Sequence, residues 1–145
     1  PASSEPAVTW NREGRGVEIK YPEGWQENDR DTVLVLANPT DRFETLAFGT
    51  LAGTIDRKEA EWERARKDPA SAARCLDSAR DTFAGRDSFV FSSRLDHQGI
   101  EVRNCTRLVT HRGQLVFVAL TARADRWEER KAVFEAVLAS LKLQE

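Results

Sequence analysis

The sequence predicts an α+β domain, an α/β/α sandwich around a central, mainly antiparallel sheet of about six strands, with a helical insertion in the middle and a C-terminal helix. Three observations predict it. Short apolar segments with a period of two, or apolar throughout, fill both halves of the chain. Glycine-bearing turns of hairpin length separate those of the second half, which makes that half antiparallel. The period changes to that of a helix in the charged middle and again at the end.

Val17, Ile19 and Tyr21 alternate with Glu18 and Lys20, the mark of a half-buried strand, and Pro22-Glu23-Gly24 turns the chain before Trp25. Val33-Leu34-Val35-Leu36-Ala37 is apolar on both faces and closes at Asn38-Pro39. Leu46, Phe48 and Leu51 carry a third strand that ends near Gly53. Asp56 and Glu59 have the spacing of a capping box, so a solvated helix is expected to start there. Asp68-Pro69 reads as an N-cap followed by proline at the first helical position. Ala72, Leu76, Ala79 and Phe83 then recur at helical spacing up to Gly85, which predicts a second helix, separated from the first or kinked by Pro69.

Phe89, Phe91, Ser93 and Leu95 share one face of a strand, and His97-Gln98-Gly99 turns it back into 100–110. Arg112-Gly113 turns again into Leu115–Leu120, apolar on both sides, so each face of the sheet must be covered there. Asp125 and Glu128 repeat the capping-box spacing, and Trp127, Phe134, Val137, Leu138 and Leu141 form the apolar stripe of the last helix.

Length and composition bound the rest. The 145 residues suit one domain, divided into a flexible tether over 1–8 and a single folded unit over 9–145. With 40% hydrophobic and 32% charged residues the chain is a folded, well-solvated protein. The net charge of −2 is interspersed along the chain and leaves no basic stripe for nucleic acid or anionic lipid. No segment approaches the roughly 20 apolar residues of a membrane-spanning helix. The chain contains no methionine, even at position 1, so a segment upstream of Pro1 is expected to have been removed or cut away. Two cysteines, Cys75 and Cys105, are either buried thiols or a disulfide, and a disulfide requires an oxidising compartment.

Gly16-Val17-Glu18-Ile19-Lys20-Tyr21-Pro22-Glu23-Gly24-Trp25, the hairpin at Gly113 into 115–122, Trp127 and the terminal Phe134-x-x-Val137-x-x-Ser140-Leu141 together resemble the PsbP-like superfamily, named for the extrinsic oxygen-evolving subunit of photosystem II. The resemblance covers most of Val8 to Leu143. It implies an extracytoplasmic binding or assembly module, secreted, periplasmic or membrane-tethered, that engages another protein. It brings no catalytic residues. The long N-terminal extension of the photosynthetic members has no match here, which argues against a role in a photosystem.

The residues themselves offer little chemistry, and neither a cofactor nor a metal is expected. His97 and His111 are the only histidines, and to hold a metal they need company such as Asp96 or Cys105. Ser92, Ser93, Cys105 and His111 lack a nucleophile elbow, and no glycine-rich phosphate loop is present. The adjacent acids Glu128-Glu129 and the pair Asp29 and Asp31 lie in charge-rich stretches, and neighbouring acids on a helix diverge. Among Trp10, Trp25, Trp62 and Trp127, we expect Trp25 and Trp127 in the core. Trp62 sits among Glu59, Glu61, Glu63, Arg64 and Arg66, where it either anchors a partner together with Arg66 or folds down onto the sheet. The alternative function is a lipid or metabolite pocket between sheet and helices, lined by Phe43, Phe48, Phe89, Phe91 and Phe117.

Overall fold

A computed structural model describes residues 6–30 and 32–145. The strands are β1 (Pro6–Arg12), β2 (Val17–Pro22), β3 (Gln26–Asp29), β4 (Val33–Ala37), β5 (Thr45–Leu51), β6 (Cys75–Phe83), β7 (Arg86–His97), β8 (Ile100–His111), β9 (Gln114–Arg123) and β10 (Lys142–Leu143). Two helices, α1 (Ile55–Lys67) and α2 (Trp127–Ala139), follow β5 and β9. Seven strands form an antiparallel sheet in the order β3-β4-β5-β9-β8-β7-β6, and β1-β2-β10 form a second, three-stranded sheet.

The alternation of apolar residues decides which layer covers which face. On one face of the large sheet, Leu34, Leu36, Leu46, Phe48, Val118 and Leu120 are 0–1% exposed. They pack with Ile19, Tyr21 and Trp25 from the β2 region and with Val133, Phe134, Val137 and Leu138 of α2. Burying one such side chain stabilises the fold by roughly 1.5–3 kcal/mol, so this face holds most of the core. On the opposite face α1 lays Ile55 and Trp62 over Leu115, Leu108 and Phe89. Helices thus cover both faces, and the small sheet shares one of them with α2.

Several local expectations need correction. The second helix over 69–85 is instead strand β6, paired along β7 from Cys75 to Phe83. Its residues Cys75, Asp77, Ser78, Asp81 and Thr82 are poor helix formers, and pairing with β7 outweighs four apolar residues at helical spacing. Gly85, read as a helix cap, serves with Ala84 as a hairpin turn at φ +75° and +52°. Helix α1 is capped by Thr54, whose hydroxyl accepts from the amide of Arg57 at 3.2 Å, so it begins before Asp56. Helix α2 has no side-chain cap, because Asp125 pairs with Arg123 and Glu128 with Lys131. Strand β2 belongs to the small sheet, where the side-chain oxygen of Ser140 accepts from the Lys20 amide at 2.8 Å and ties the end of α2 to it. Pro6 to Val8, assigned to the tether, lie in β1, and residues 1–5 fall outside the described part.

Candidate functional site

The face of the large sheet that carries α1 is covered only in part. Helix α1 crosses β7 and β8. Beyond it, three cross-strand rows run across β8, β9, β5 and β4. Thr106, Ala119, Ala47 and Val35 form one row. Asn104, Thr121, Thr45 and Ala37 form the next, and Phe117, Gly49 and Val33 form the third. Apart from Gly49, these residues are half-buried, whereas on β4, β5 and β9 their neighbours one position along each strand, on the other face, are buried. Period-two alternation therefore builds one full core and one open face from the same strands.

The open face is shallow because its middle is Ala47 and Ala119, while Gly49 at its edge is covered by the backbone of Thr32 and Val33. Its polar row is internally bonded: the Asn104 amide donates to Thr121 Oγ1 at 2.9 Å, and Thr106 Oγ1 donates to Asn104 Oδ1 at 2.8 Å. At one end Phe43 meets the His97 ring at 5.8 Å, with the guanidinia of Arg42 and Arg123 4.8 and 5.8 Å from its centroid. Leu95, 45% exposed, belongs to the same face through its pairing with Val102. Four strands at ~4.8 Å spacing span roughly 14 Å, enough for one helix of ~10–12 Å diameter beside α1.

The expected interface anchor is not part of this face. Trp62 is 8% exposed, with its ring 5.1 Å from that of Phe91, so it folds onto the sheet as core. Arg66 points outward and pairs with Glu63 at 2.6 Å on its own helix. Of the two readings of Cys75 and Cys105, the structure has the free thiols. Cys75 pairs across from Ser93 on β7 and Cys105 from Ser92, so β7 runs between two free thiols. Two strand spacings, about 10 Å, exceed the ~7 Å limit between the Cα atoms of a bridge. Burial pushes the Cys105 thiol up, with Arg107 opposing, which makes it a poor nucleophile.

The other candidates separate as well. His111 lies six residues along β8 from Cys105, roughly 20 Å at ~3.4 Å per residue, so neither Cys105 nor Ser92 across from it forms a dyad with His111. Among the described residues no cluster of three His, Cys, Asp or Glu side chains could hold a metal ion. Asp96 instead accepts from the Gly99 amide at 2.9 Å in its turn. Glu129 pairs with Arg126, and Asp29 with Arg12, while Asp31 lies outside the described residues. The five phenylalanines line no common cavity: Phe48 packs on the α2 face, Phe89, Phe91 and Phe117 on the α1 face, and Phe43 beside His97.

Sequence reasoning missed a buried polar joint. Glu44, 0% exposed, accepts from Arg130 of α2 at 2.8 Å and from the Asn38 amide at 3.2 Å. Asp41 meets Arg126 at 2.9 Å nearby. The joint clamps the β4–β5 connection to α2 and so holds the strands of the open face in place. Its one signal in the sequence was a lone acid, Glu44, entering an apolar strand.

No protein-family model matches the chain, and no curated protein matches it in sequence. Solved structures do match in fold. Cyanobacterial PsbP from Synechocystis sp. PCC 6803 superposes with a TM-score of 0.71 at 19% identity, over 94% of this chain and 92% of that one. The Ran-binding protein Mog1p of Saccharomyces cerevisiae gives 0.58 at 13% identity, over 94% of each chain. LpqN of Mycobacterium tuberculosis, involved in cell envelope biogenesis, gives 0.54 at 15% identity, over 89% of this chain and 83% of that one. The chain has the PsbP-like fold, the architecture to which its opening strand, its turn and Trp25 pointed.

Proposed function

We propose that this chain is a non-enzymatic, extracytoplasmic binding module that docks a helical segment of another protein on the open half of its seven-stranded sheet. The observation that carries this reading is the asymmetry of burial across β4, β5 and β9. Val33, Val35, Ala47, Phe117 and Ala119 stay half-buried while Leu34, Leu36, Phe48 and Val118 are sealed. Apolar surface left on a sheet beside a helix-sized vacancy gains free energy when a partner covers it. An apolar floor with a short polar row and a basic, aromatic end has the make-up of a non-obligate interface. A protein partner is supported by the likeness to Mog1p, a Ran-binding protein. Extracytoplasmic placement, with a tether ahead of β1, is supported by the family resemblance and by LpqN, involved in cell envelope biogenesis.

Site-specific photocrosslinking tests the reading. A photoreactive phenylalanine analogue is placed at Ala47, at Ala119 or, as a control, at Arg57 on the outer side of α1, and membrane and exported fractions are irradiated. The expected result is one adduct shared by positions 47 and 119 and missing at 57. Adducts that are absent from both face positions, or equally strong at Arg57, refute the docking face.

A further inference from the structure

We infer a second binding site, specific for a small oxyanion, at the opposite side of the sheet from the open face. It lies where the 3₁₀ turn between β1 and β2 (Glu13–Arg15) meets the β8–β9 hairpin. Gly14, Arg15, Thr50, His111, Arg112 and Gln114 line a cleft of about 220 Å³ there. That volume lies below the ~300 Å³ at which pockets for drug-sized ligands begin, and it suits a phosphate or carboxylate head.

Many of the protein's arginines are held in ion pairs, and the two of this cleft are among those that are not. Arg80 is held by Asp56, Glu59 and Asp87, Arg107 by Asp81, Arg126 by Asp41 and Glu129, and Arg130 by Glu44. Among the described residues the Arg15 guanidinium has no ion pair or hydrogen bond, and Arg112 has only the Gly14 carbonyl at 3.4 Å. Arg15 and Arg112 line one cleft, and among its lining residues there is no carboxylate. Their planar forks match an oxyanion bidentately.

The cleft is also held in shape. His111, 3% exposed, has Nε2 2.9 Å from the Arg15 carbonyl. A carbonyl only accepts, so Nε2 carries the hydrogen. That bond fixes the turn that presents Arg15, and Nδ1 has no hydrogen-bond partner among the described residues. Gly16, at φ +66°, leaves room for Arg112: a Cβ there would lie 2.8 Å from the guanidinium carbon and clash with the Gln144 carbonyl. The bare glycine lets the Arg112 guanidinium lie against the turn, within reach of the Gly14 carbonyl.

Titration of ¹⁵N-labelled protein with inorganic phosphate at fixed ionic strength, and in parallel with acetate, tests the site. The expected result is saturable shifts of the Arg15, Gly16, Arg112 and Gly113 amides and the two arginine Nε–H signals. Arg15→Gln and Arg112→Gln should each weaken binding about tenfold or more, since each removes a charge-assisted hydrogen bond. Arg64→Gln, on the exposed side of α1, should change nothing. Tighter phosphate binding assigns a phosphate-bearing ligand and tighter acetate binding a carboxylate, and either supports the site. Shifts that stay linear with concentration, or an equal loss in Arg64→Gln, overturn it. Arg112→Lys, which keeps the charge, should retain part of the affinity, and its failure to do so in a folded protein would also count against the site.

Discussion

Removing the Glu44 carboxylate should destabilise this fold more than most single substitutions. In Glu44→Ala the guanidinium of Arg130, whose side chain is 13% exposed, loses the Glu44 carboxylate, and the Asn38 amide loses its acceptor. Breaking a buried pair from one side costs about 3–5 kcal/mol, because the remaining charge stays desolvated without that partner. For a domain of this size each kcal/mol lowers Tm by about 3–4 °C, so the variant should melt about 9–20 °C early. Removing both charges is a different perturbation. Glu44→Leu with Arg130→Met removes both members of the pair and should recover most of the loss. Urea unfolding followed by tryptophan fluorescence reads all arms of the cycle, since Trp10 and Trp25 sit in the same core. A single variant that costs under about 1 kcal/mol, or a double variant as costly as the sum of the singles, would refute the claim that this joint clamps the open face.

Gly49→Ala should cost about 1–3 kcal/mol by overpacking, because its Cβ would lie 2.8 Å from Val33 Cα and press on the Thr32 carbonyl; chemical denaturation measures it. Intact-mass measurement after alkylation should find both Cys75 and Cys105 modified without prior reduction, and reductant should leave Tm unchanged; a mass two hydrogens short would contradict the strand order β6-β7-β8. The Arg80 guanidinium holds the Asp87 carboxyl below its usual range. Asp87 therefore binds a proton less readily folded than unfolded. Its stabilisation is complete above the unfolded value near pH ~4 and is lost as pH falls through the lower folded one. Asp87→Asn should flatten that acid limb of the stability curve, and an unchanged limb would show that the ion pair does not act in solution.

The legible parts of this fold are those where a strong local pattern meets no competitor. The runs 33–37 and 115–120 and the stripe of Phe134, Val137 and Leu138 lie where their periods place them. Strand β3 carries only Gln26, Glu27, Asn28 and Asp29, all exposed, and is ordered by pairing with β4, so it had no apolar signal. Strand β1 was hidden by the prolines and small residues ahead of it. Strand β6 was misread because Gly85 marks a helix end and a hairpin turn equally well, and only the β7 partner decides between them. Trp62 was ambiguous because its charged neighbours occupy the outer face of α1 while its own position, seven residues after Ile55, shares the buried one. Neither the open face nor the arginine cleft could be read locally, since each is assembled from strands far apart in sequence.

Alanine in the open face deserves a physical reason, because strand stability alone does not supply one. Alanine is depleted in strands, where threonine and the β-branched residues pack better on a pleated surface. Yet Ala47 and Ala119 lie directly opposite each other, with Gly49 beside them, in central strands of the sheet. Solubility does not require this, since threonine, already present at 45, 106 and 121, would serve a solvated face as well. A low floor does let an incoming helix approach closely and bury its own apolar stripe beside α1. The two demands separate in one pair of variants. Ala47→Thr and Ala119→Thr should each hold or raise stability, by up to ~1 kcal/mol on strand propensity. The same changes raise the floor and should weaken crosslinking of the partner from neighbouring Val35. Variants that gain stability and keep the partner would leave the alanines unexplained by docking and remove the geometric basis for placing a helix there.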